Sequence, residues 1–146
     1  MGLPFAKWDW WPNTLNAHRL CNYLAELDSK RSELAEQERL DRGLQLIQKF
    51  YELTYERGVN ISTPEGAAQA LGELGFAAAE DAAKWLKEGC GLDQVLADDA
   101  HAKREMDIDG VPFFVISEEE GKTRPLGLSG AQPSSAFSKA FKKVAG

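Results

Sequence analysis

The residues of this chain best suited to covalent chemistry are its two cysteines. Cys21 and Cys90 stand 69 residues apart in a chain of 146 residues. The thiolate is the form that attacks a disulfide, so a reactive cysteine needs a nearby positive charge or a helix amino terminus. Cys21 follows an apolar residue inside a predicted helix, where no helix end helps it. An ordinary pKa of about 8.5 would leave it only a few per cent thiolate at neutral pH.

Cys90 is the better candidate for a reactive thiol. It stands between Gly89 and Gly91, at or just before the amino end of a predicted helix, where the backbone is flexible and the helix dipole favours a thiolate. The acidic neighbours Glu88 and Asp93 oppose a thiolate. Cys90 therefore stays a weak catalytic candidate, and the simpler interpretation of both cysteines is that they are small, buried or half-buried packing residues.

His18 and Arg19 form the other conspicuous polar pair. His18 could act as a base beside a bound thiol, or it could simply be a hydrogen-bonded residue between two parts of the fold. His101 lies among acidic residues and is expected to be solvated. Because the two histidines and two cysteines are dispersed along the chain, no spacing resembles a zinc site, and we expect no metal.

Composition narrows the possible partners and compartments. The net charge is −6 and the 17 basic residues are scattered, which argues against nucleic acid or an anionic membrane as the main partner. No apolar run approaches the roughly 20 residues that span a bilayer, and the first residues lack the pattern of a secretory signal. Two distant cysteines do not make a disulfide framework, so we expect a cytoplasmic protein.

Periodicity predicts a mostly helical chain that ends with strand, turn, strand and helix. The apolar residues Leu40, Leu44, Ile47 and Phe50 recur three or four apart in the longest predicted helix. The predicted helices cover about residues 14–27, 32–57, 63–74, 79–88, 92–106 and 135–144, and the strands cover about 110–117 and 123–128. The last helix is expected to bury Ala136, Phe137, Ala140 and Phe141.

Three strings in this order carry a family resemblance: Pro-Asn-Thr-Leu-Asn-Ala-His-Arg-Leu at 12–20, Gly-Val-Pro-Phe-Phe-Val-Ile at 110–116 and Leu-Ser-Gly-Ala-Gln-Pro at 128–133. On these strings the chain resembles the DsbA-like family, in particular its FrnE-type disulfide oxidoreductases. The resemblance implies an α/β but mostly helical fold, an incomplete thioredoxin-like fold with a C-terminal ββα unit and a helical insertion. It implies a single domain over 1–146, with the insertion at about 13–107 and the ββα unit at 108–146.

The resemblance also implies a substrate site. In such proteins the bond before the proline at position 112 is cis, and the backbone of Val111 pairs with an extended protein or peptide thiol substrate. We therefore expect a groove beside Val111 and Pro112, lined by the segment from Asn13 to His18 and by the loop at Gly130.

The chain departs from the family pattern in its cysteines. The resemblance implies a strand and a Cys-x-x-Cys turn before Gly2, and these 146 residues contain no such motif. We therefore expect no dithiol redox activity from the isolated chain, and no cofactor. Without the first strand, the strand at 113–117 would expose an apolar edge, which favours self-association.

Two other interpretations stay open. One is a non-enzymatic thioredoxin-like protein that binds a peptide or partner chain. The other is a relative of kappa-type glutathione transferases or hydroxychromene-carboxylate isomerases, which hold glutathione with a Ser-Asp pair after the hairpin. Gly130 and Ala131 occupy that place here, which counts against a glutathione enzyme.

Overall fold

Helices make up most of this computed structural model, which describes residues 5–6, 11–118, 121 and 123–145. The chain divides into one unit over residues 1–97 and a second over 98–146. The expected arrangement as a single domain, with the insertion ending near 107, stays a prediction. The mostly helical α/β content expected from the sequence is confirmed.

The first unit is built from α-helices. They are α1 (Leu15–Ser29), α2 (Glu36–Tyr51), α3 (Pro64–Glu73), α4 (Ala79–Lys87) and the beginning of α5 (Leu92–Arg104). A π-helical turn, Glu52–Glu56, continues α2 and was not predicted. Thr63 begins α3 as expected, because its Oγ1 accepts a hydrogen bond from the Gly66 N–H at 3.1 Å and Pro64 occupies the first turn.

The core of the first unit lies among α1 to α4. Its apolar members are nearly inaccessible to solvent, and they are Ala17, Leu20, Leu24, Leu46, Phe50, Leu53, Ile61, Ala67, Ala68, Ala70, Leu71, Ala82, Ala83 and Leu86. The apolar pattern in α2 predicted the helix correctly but did not show which of its apolar residues lie inside. Leu46 and Phe50 are buried, whereas Leu40, Leu44 and Ile47 stay exposed.

The second unit contains the end of α5, a two-stranded antiparallel sheet and a last helix. Strand β1 (Phe113–Ile116) pairs with β2 (Leu126–Ser129), and α6 (Ser134–Val144) follows. In the register of the sheet, Phe113 faces Ser129 and Ile116 faces Leu126. The predicted order of strand, turn, strand and helix is therefore confirmed, although both strands are shorter than expected.

Helix α6 packs on the sheet through part of the expected face. The Phe114 and Phe137 rings meet edge to face with their centroids 4.9 Å apart. Ala140 and Val144 are buried. Phe141, which was expected to be buried, is 56% exposed, because the two strands that the structure describes are too few to cover its side of the helix.

Candidate functional site

The candidate site in the second unit centres on the loop that leads into β1. Val111 is 92% exposed, and the peptide bond between Val111 and Pro112 is cis. The Gly130 N–H donates a hydrogen bond to the Pro112 carbonyl at 2.8 Å. Gly130 has a φ of +76°, a left-handed conformation that glycine adopts without steric cost. The loop after β2 is thereby tied to the loop before β1, and Val111, Pro112 and Gly130 lie together.

The backbone beside this loop is open to a further strand. Within the part of the chain that the structure describes, β1 has a strand partner on one side only, which is β2. The N–H and C=O groups of Val111 make no hydrogen bond to any described residue. Phe114 and Val115 are 37% and 50% exposed. An apolar strand with one open edge and a solvated donor and acceptor before it can pair with an extended peptide.

A shallow cleft lies on the α6 side of the same strand. It has a volume of about 410 Å³ and is lined by Val115, Ile116, Phe141 and Val144 among others. These lining groups are mostly apolar. A peptide added to the sheet could place an apolar side chain here, which would give a backbone-paired ligand some side-chain preference.

Asn13 and His18, the other predicted site residues, belong to the first unit. Asn13 lies just before α1: its Oδ1 accepts a hydrogen bond from the Leu15 N–H at 2.8 Å, and its own N–H donates to Ser62 Oγ at 2.7 Å. His18 is exposed on α1 and lines a cavity of about 250 Å³ together with Thr54. Their participation in a site with Val111 stays a prediction.

A buried arginine organises the segment that carries Cys90, and sequence reasoning gave it no role. Arg19 is only 6% exposed. Its guanidinium donates to the Cys90 carbonyl at 2.8 Å, to the Leu86 carbonyl at 2.7 Å and to Asn16 Oδ1 at 3.0 Å. It also lies 5.8 Å from the centroid of the Trp85 ring. The sequence signal that could have indicated a buried role was the position of this arginine among the apolar residues of the inner face of α1.

The positive charge of Arg19 lies beside the loop that carries Cys90. Burial lowers the pKa of Arg19 from its usual value, and a negative charge on Cys90 acts in the opposite direction. A guanidinium is nonetheless always protonated in proteins. It therefore brings a positive charge to the loop that precedes α5.

The glycines beside Cys90 have a packing role as well as flexibility. Gly89 and Gly91 have φ values of +80° and +71°. A Cβ atom at Gly91 would collide with the Trp85 indole. The loop is therefore closely packed against α4, and Cys90 is half-buried within it.

Cys21 is half-buried in α1 and lines two cavities of the first unit. Burial raises the pKa of its thiol, because an apolar environment disfavours the thiolate. Both cysteines are free thiols. In the described part of the chain, no cluster of histidine, cysteine and carboxylate side chains is arranged to hold a metal ion, and no helix is long and apolar enough to cross a membrane.

A family comparison agrees with this architecture. The model of the DSBA-like thioredoxin domain matches residues 3–142. The chain therefore belongs to the DSBA-like thioredoxin domain family, a family of the thiol–disulfide oxidoreductase type. No curated protein and no solved structure is significantly similar to the chain.

Proposed function

We propose that this chain binds an extended segment of a protein substrate beside Val111 and Pro112, and that it does not exchange disulfides by itself. The observation that carries the proposal is the open backbone at Val111, which continues into the unpaired edge of β1. The hydrogen bond from Gly130 to Pro112 supports the same proposal, since it holds the loop in place before a peptide arrives.

The substrate we propose is a polypeptide in β conformation. Main-chain hydrogen bonds would supply most of its affinity, and the cleft at Val115 and Phe141 would favour an apolar side chain. The same edge could accept β1 of a second copy, which is the self-association expected from the sequence. As a member of the FrnE-type branch, the protein would meet substrates that carry thiols or disulfides in the cytoplasm.

The absence of dithiol exchange rests on the two thiols themselves. Efficient exchange needs an attacking thiolate and a second thiol close enough to resolve the mixed disulfide. Burial disfavours the thiolate of Cys21. Cys90 is a half-buried free thiol, and no cysteine lies near it in sequence. Cys90 could thus form a mixed disulfide with a substrate yet would lack the usual partner to release it.

Binding can be tested with a labelled, extended apolar peptide and a copy of it in which alternate amides are N-methylated. Methylation removes the strand-forming donors and leaves the side chains unchanged. We expect the unmodified peptide to raise fluorescence anisotropy and the methylated peptide to bind at least tenfold more weakly. Equal binding of both peptides would contradict pairing at the sheet edge.

Redox activity can be tested separately by insulin reduction with dithiothreitol as the electron donor. We expect the rate to equal that of dithiothreitol alone, for the chain and for Cys90→Ser. A clear acceleration that disappears in Cys90→Ser would favour an enzyme and would contradict the second half of the proposal. An acceleration that survives in Cys90→Ser and disappears in Cys21→Ser would contradict it equally.

A further inference from the structure

The cavity that His18 lines in the first unit lies among α1, the end of α2 and the π-helical turn that follows α2. It has a volume of about 250 Å³, and most of its lining groups are apolar. Helix α1 contributes Ala17 and Cys21 besides His18, and the π-helical turn contributes Thr54 and Tyr55. Cavities that hold drug-sized ligands begin at about 300 Å³, so this cavity suits a smaller molecule.

The hydroxyl group of Thr54 is buried beside this cavity without a hydrogen-bond partner. Thr54 is only 2% exposed, and no described residue donates to its Oγ1 or accepts from it. A threonine in a helix can satisfy its hydroxyl on the carbonyl three or four residues earlier, but Thr54 does not make that bond. Unpaired buried groups are rare in native proteins, and a bound group that completes the hydrogen bond is one explanation.

The π-helical turn is a second unusual feature at the same cavity. Turns of this kind are rare, and they are found frequently at functional sites. In this chain the turn covers Glu52–Glu56 and continues α2 directly. Because Thr54 and Tyr55 both belong to it, the irregular backbone and the unpaired hydroxyl coincide in one wall of the cavity.

Three aromatic side chains line the cavity, namely those of Phe50, Tyr51 and Tyr55. Phe50 is 4% exposed and Tyr51 is 59% exposed, so aromatic rings occur both in the buried wall and at the surface. The ring centroids of Tyr51 and Tyr55 lie 6.0 Å apart. Aromatic rings attract one another in offset or edge-to-face arrangements with centroids about 4.5–7 Å apart. These walls therefore favour an aromatic ligand over a flexible alkyl chain.

We propose that this cavity binds a small aromatic molecule that carries a hydroxyl group. The ring of the ligand packs among the aromatic side chains of the cavity, and its hydroxyl group forms a hydrogen bond with Thr54 Oγ1. A helical threonine has two accessible rotamers, so rotation about the Cα–Cβ bond of Thr54 can turn its hydroxyl towards the ligand. The site belongs to the first unit and is independent of the peptide site proposed at β1.

Binding can be tested with the full chain and two probes of similar shape, p-cresol and toluene, of which only p-cresol carries a hydroxyl group. Chemical shifts in ¹H–¹⁵N correlation spectra, recorded during titration, give both dissociation constants. We expect p-cresol to bind, and the amide signals of Ala17, Cys21 and Thr54 to shift most. Absence of p-cresol binding up to its solubility limit would overturn the proposal. Shifts centred on Val115 and Phe141 would overturn it too, because they would assign the probe to the cleft beside β1.

Thr54→Val separates the hydrogen bond from the shape of the cavity, since valine has the shape of threonine without the hydroxyl. The variant should unfold at a temperature equal to or higher than that of the wild type, because it removes an unpaired buried group. We expect p-cresol to bind it about fivefold more weakly, which is the size of one net hydrogen bond, and toluene to bind it as it binds the wild type. Thr123→Val is the matched control, because Thr123 belongs to the second unit, and it should leave both affinities unchanged.

Equal affinity of p-cresol for Thr54→Val and the wild type would overturn the proposed hydrogen bond. That result would mean that water, or no group at all, occupies the position beside the Thr54 hydroxyl.

Ala17→Leu tests whether the probes enter the cavity. Ala17 lines the cavity from α1 and is 9% exposed, so a larger side chain at this position should fill part of the space. We expect the affinity for both probes to fall at least tenfold, while circular dichroism shows that the helical fold is kept. Unchanged binding of both probes by the folded variant would overturn the proposal, and if the variant does not fold, the comparison of Thr54→Val with the wild type decides.

Discussion

The buried guanidinium of Arg19 donates a hydrogen bond to the Cys90 carbonyl across 71 residues of sequence, at a distance of 2.8 Å. The same group holds the Leu86 carbonyl at the end of α4. One side chain of α1 thus fixes the loop that carries Cys90. The contribution of Arg19 to the stability of the fold can be measured directly.

Arg19→Met should destabilise the chain strongly. The substitution keeps much of the apolar stem but removes the donor of the Cys90 carbonyl and of Asn16 Oδ1, whereas the Leu86 carbonyl still accepts a hydrogen bond from the Gly89 N–H. Each buried polar group that loses its partner costs about 1–3 kcal/mol, so we expect a loss of about 2–6 kcal/mol in the free energy of unfolding. Urea denaturation followed by circular dichroism measures it.

The matched control for this substitution is Arg31→Met. Arg31 is exposed and pairs with the exposed Glu33 at 2.9 Å, an interaction of the kind that contributes at most about 1 kcal/mol. If Arg19→Met were no more destabilising than Arg31→Met, the three hydrogen bonds of Arg19 would not be important for stability.

The conformation of Gly130 can be tested by comparing two glycine-to-alanine substitutions. A Cβ atom at Gly130 would meet nothing within 4 Å, so Gly130→Ala is unfavourable only because of its positive φ. We expect a loss of about 1–2 kcal/mol in the free energy of unfolding and weaker peptide binding, as the loop at Pro112 loses its fixed position. Gly75→Ala has the same backbone cost, with a φ of +67° and equally open space, but should leave peptide binding unchanged. Equal binding by Gly130→Ala and the wild type would contradict a role of the loop in the site.

Acid should remove part of the stability through Glu73. The guanidinium of Arg57, 2.7 Å away, together with the amide of Gln69, lowers the pKa of Glu73 from 4.5 to about 2. Because the folded pKa is the lower one, this contribution is fully present above about pH 4.5 and is lost as the pH falls towards 2. Unfolding free energies measured between these values should decline less steeply in Glu73→Gln than in the wild type. Identical slopes would show that the ion pair does not persist in solution. Glu26→Gln is a useful control, since Glu26 forms an exposed pair with Lys30 within one helix.

The two thiols should differ in reactivity. Burial raises the pKa of Cys21, so the alkylation rate of Cys21 in a Cys90→Ser chain should still be rising at about pH 9. Cys90, measured in Cys21→Ser, should react faster than Cys21 at neutral pH, because burial disfavours the thiolate of Cys21. Iodoacetamide labelling followed by mass spectrometry gives both rates. Faster labelling of Cys21 at neutral pH would contradict this assignment.

Several features of the chain follow from local sequence alone. The Thr63-Pro64 start of α3, the apolar periodicity and the β-branched run before residue 117 are local signals, and each predicted its element within a few residues. Three strings in a fixed order, at 12–20, 110–116 and 128–133, predicted the family, and the family model that matches residues 3–142 confirms it. These local signals can be interpreted without knowing which segments of the chain pack together.

Other features depend on contacts between distant residues. The periodicity of α2 could not show that Leu46 and Phe50 form the inner face while Leu40 and Leu44 remain outside, because apolar residues occupy both faces of that helix. Sequence reasoning noted Arg19 but likewise could not identify its partners, which lie 67 and 71 residues away. Local residue types determined the elements and the family. The tertiary structure decided which side chains are buried and which carbonyl groups a buried charge satisfies, because burial depends on packing between segments far apart in sequence.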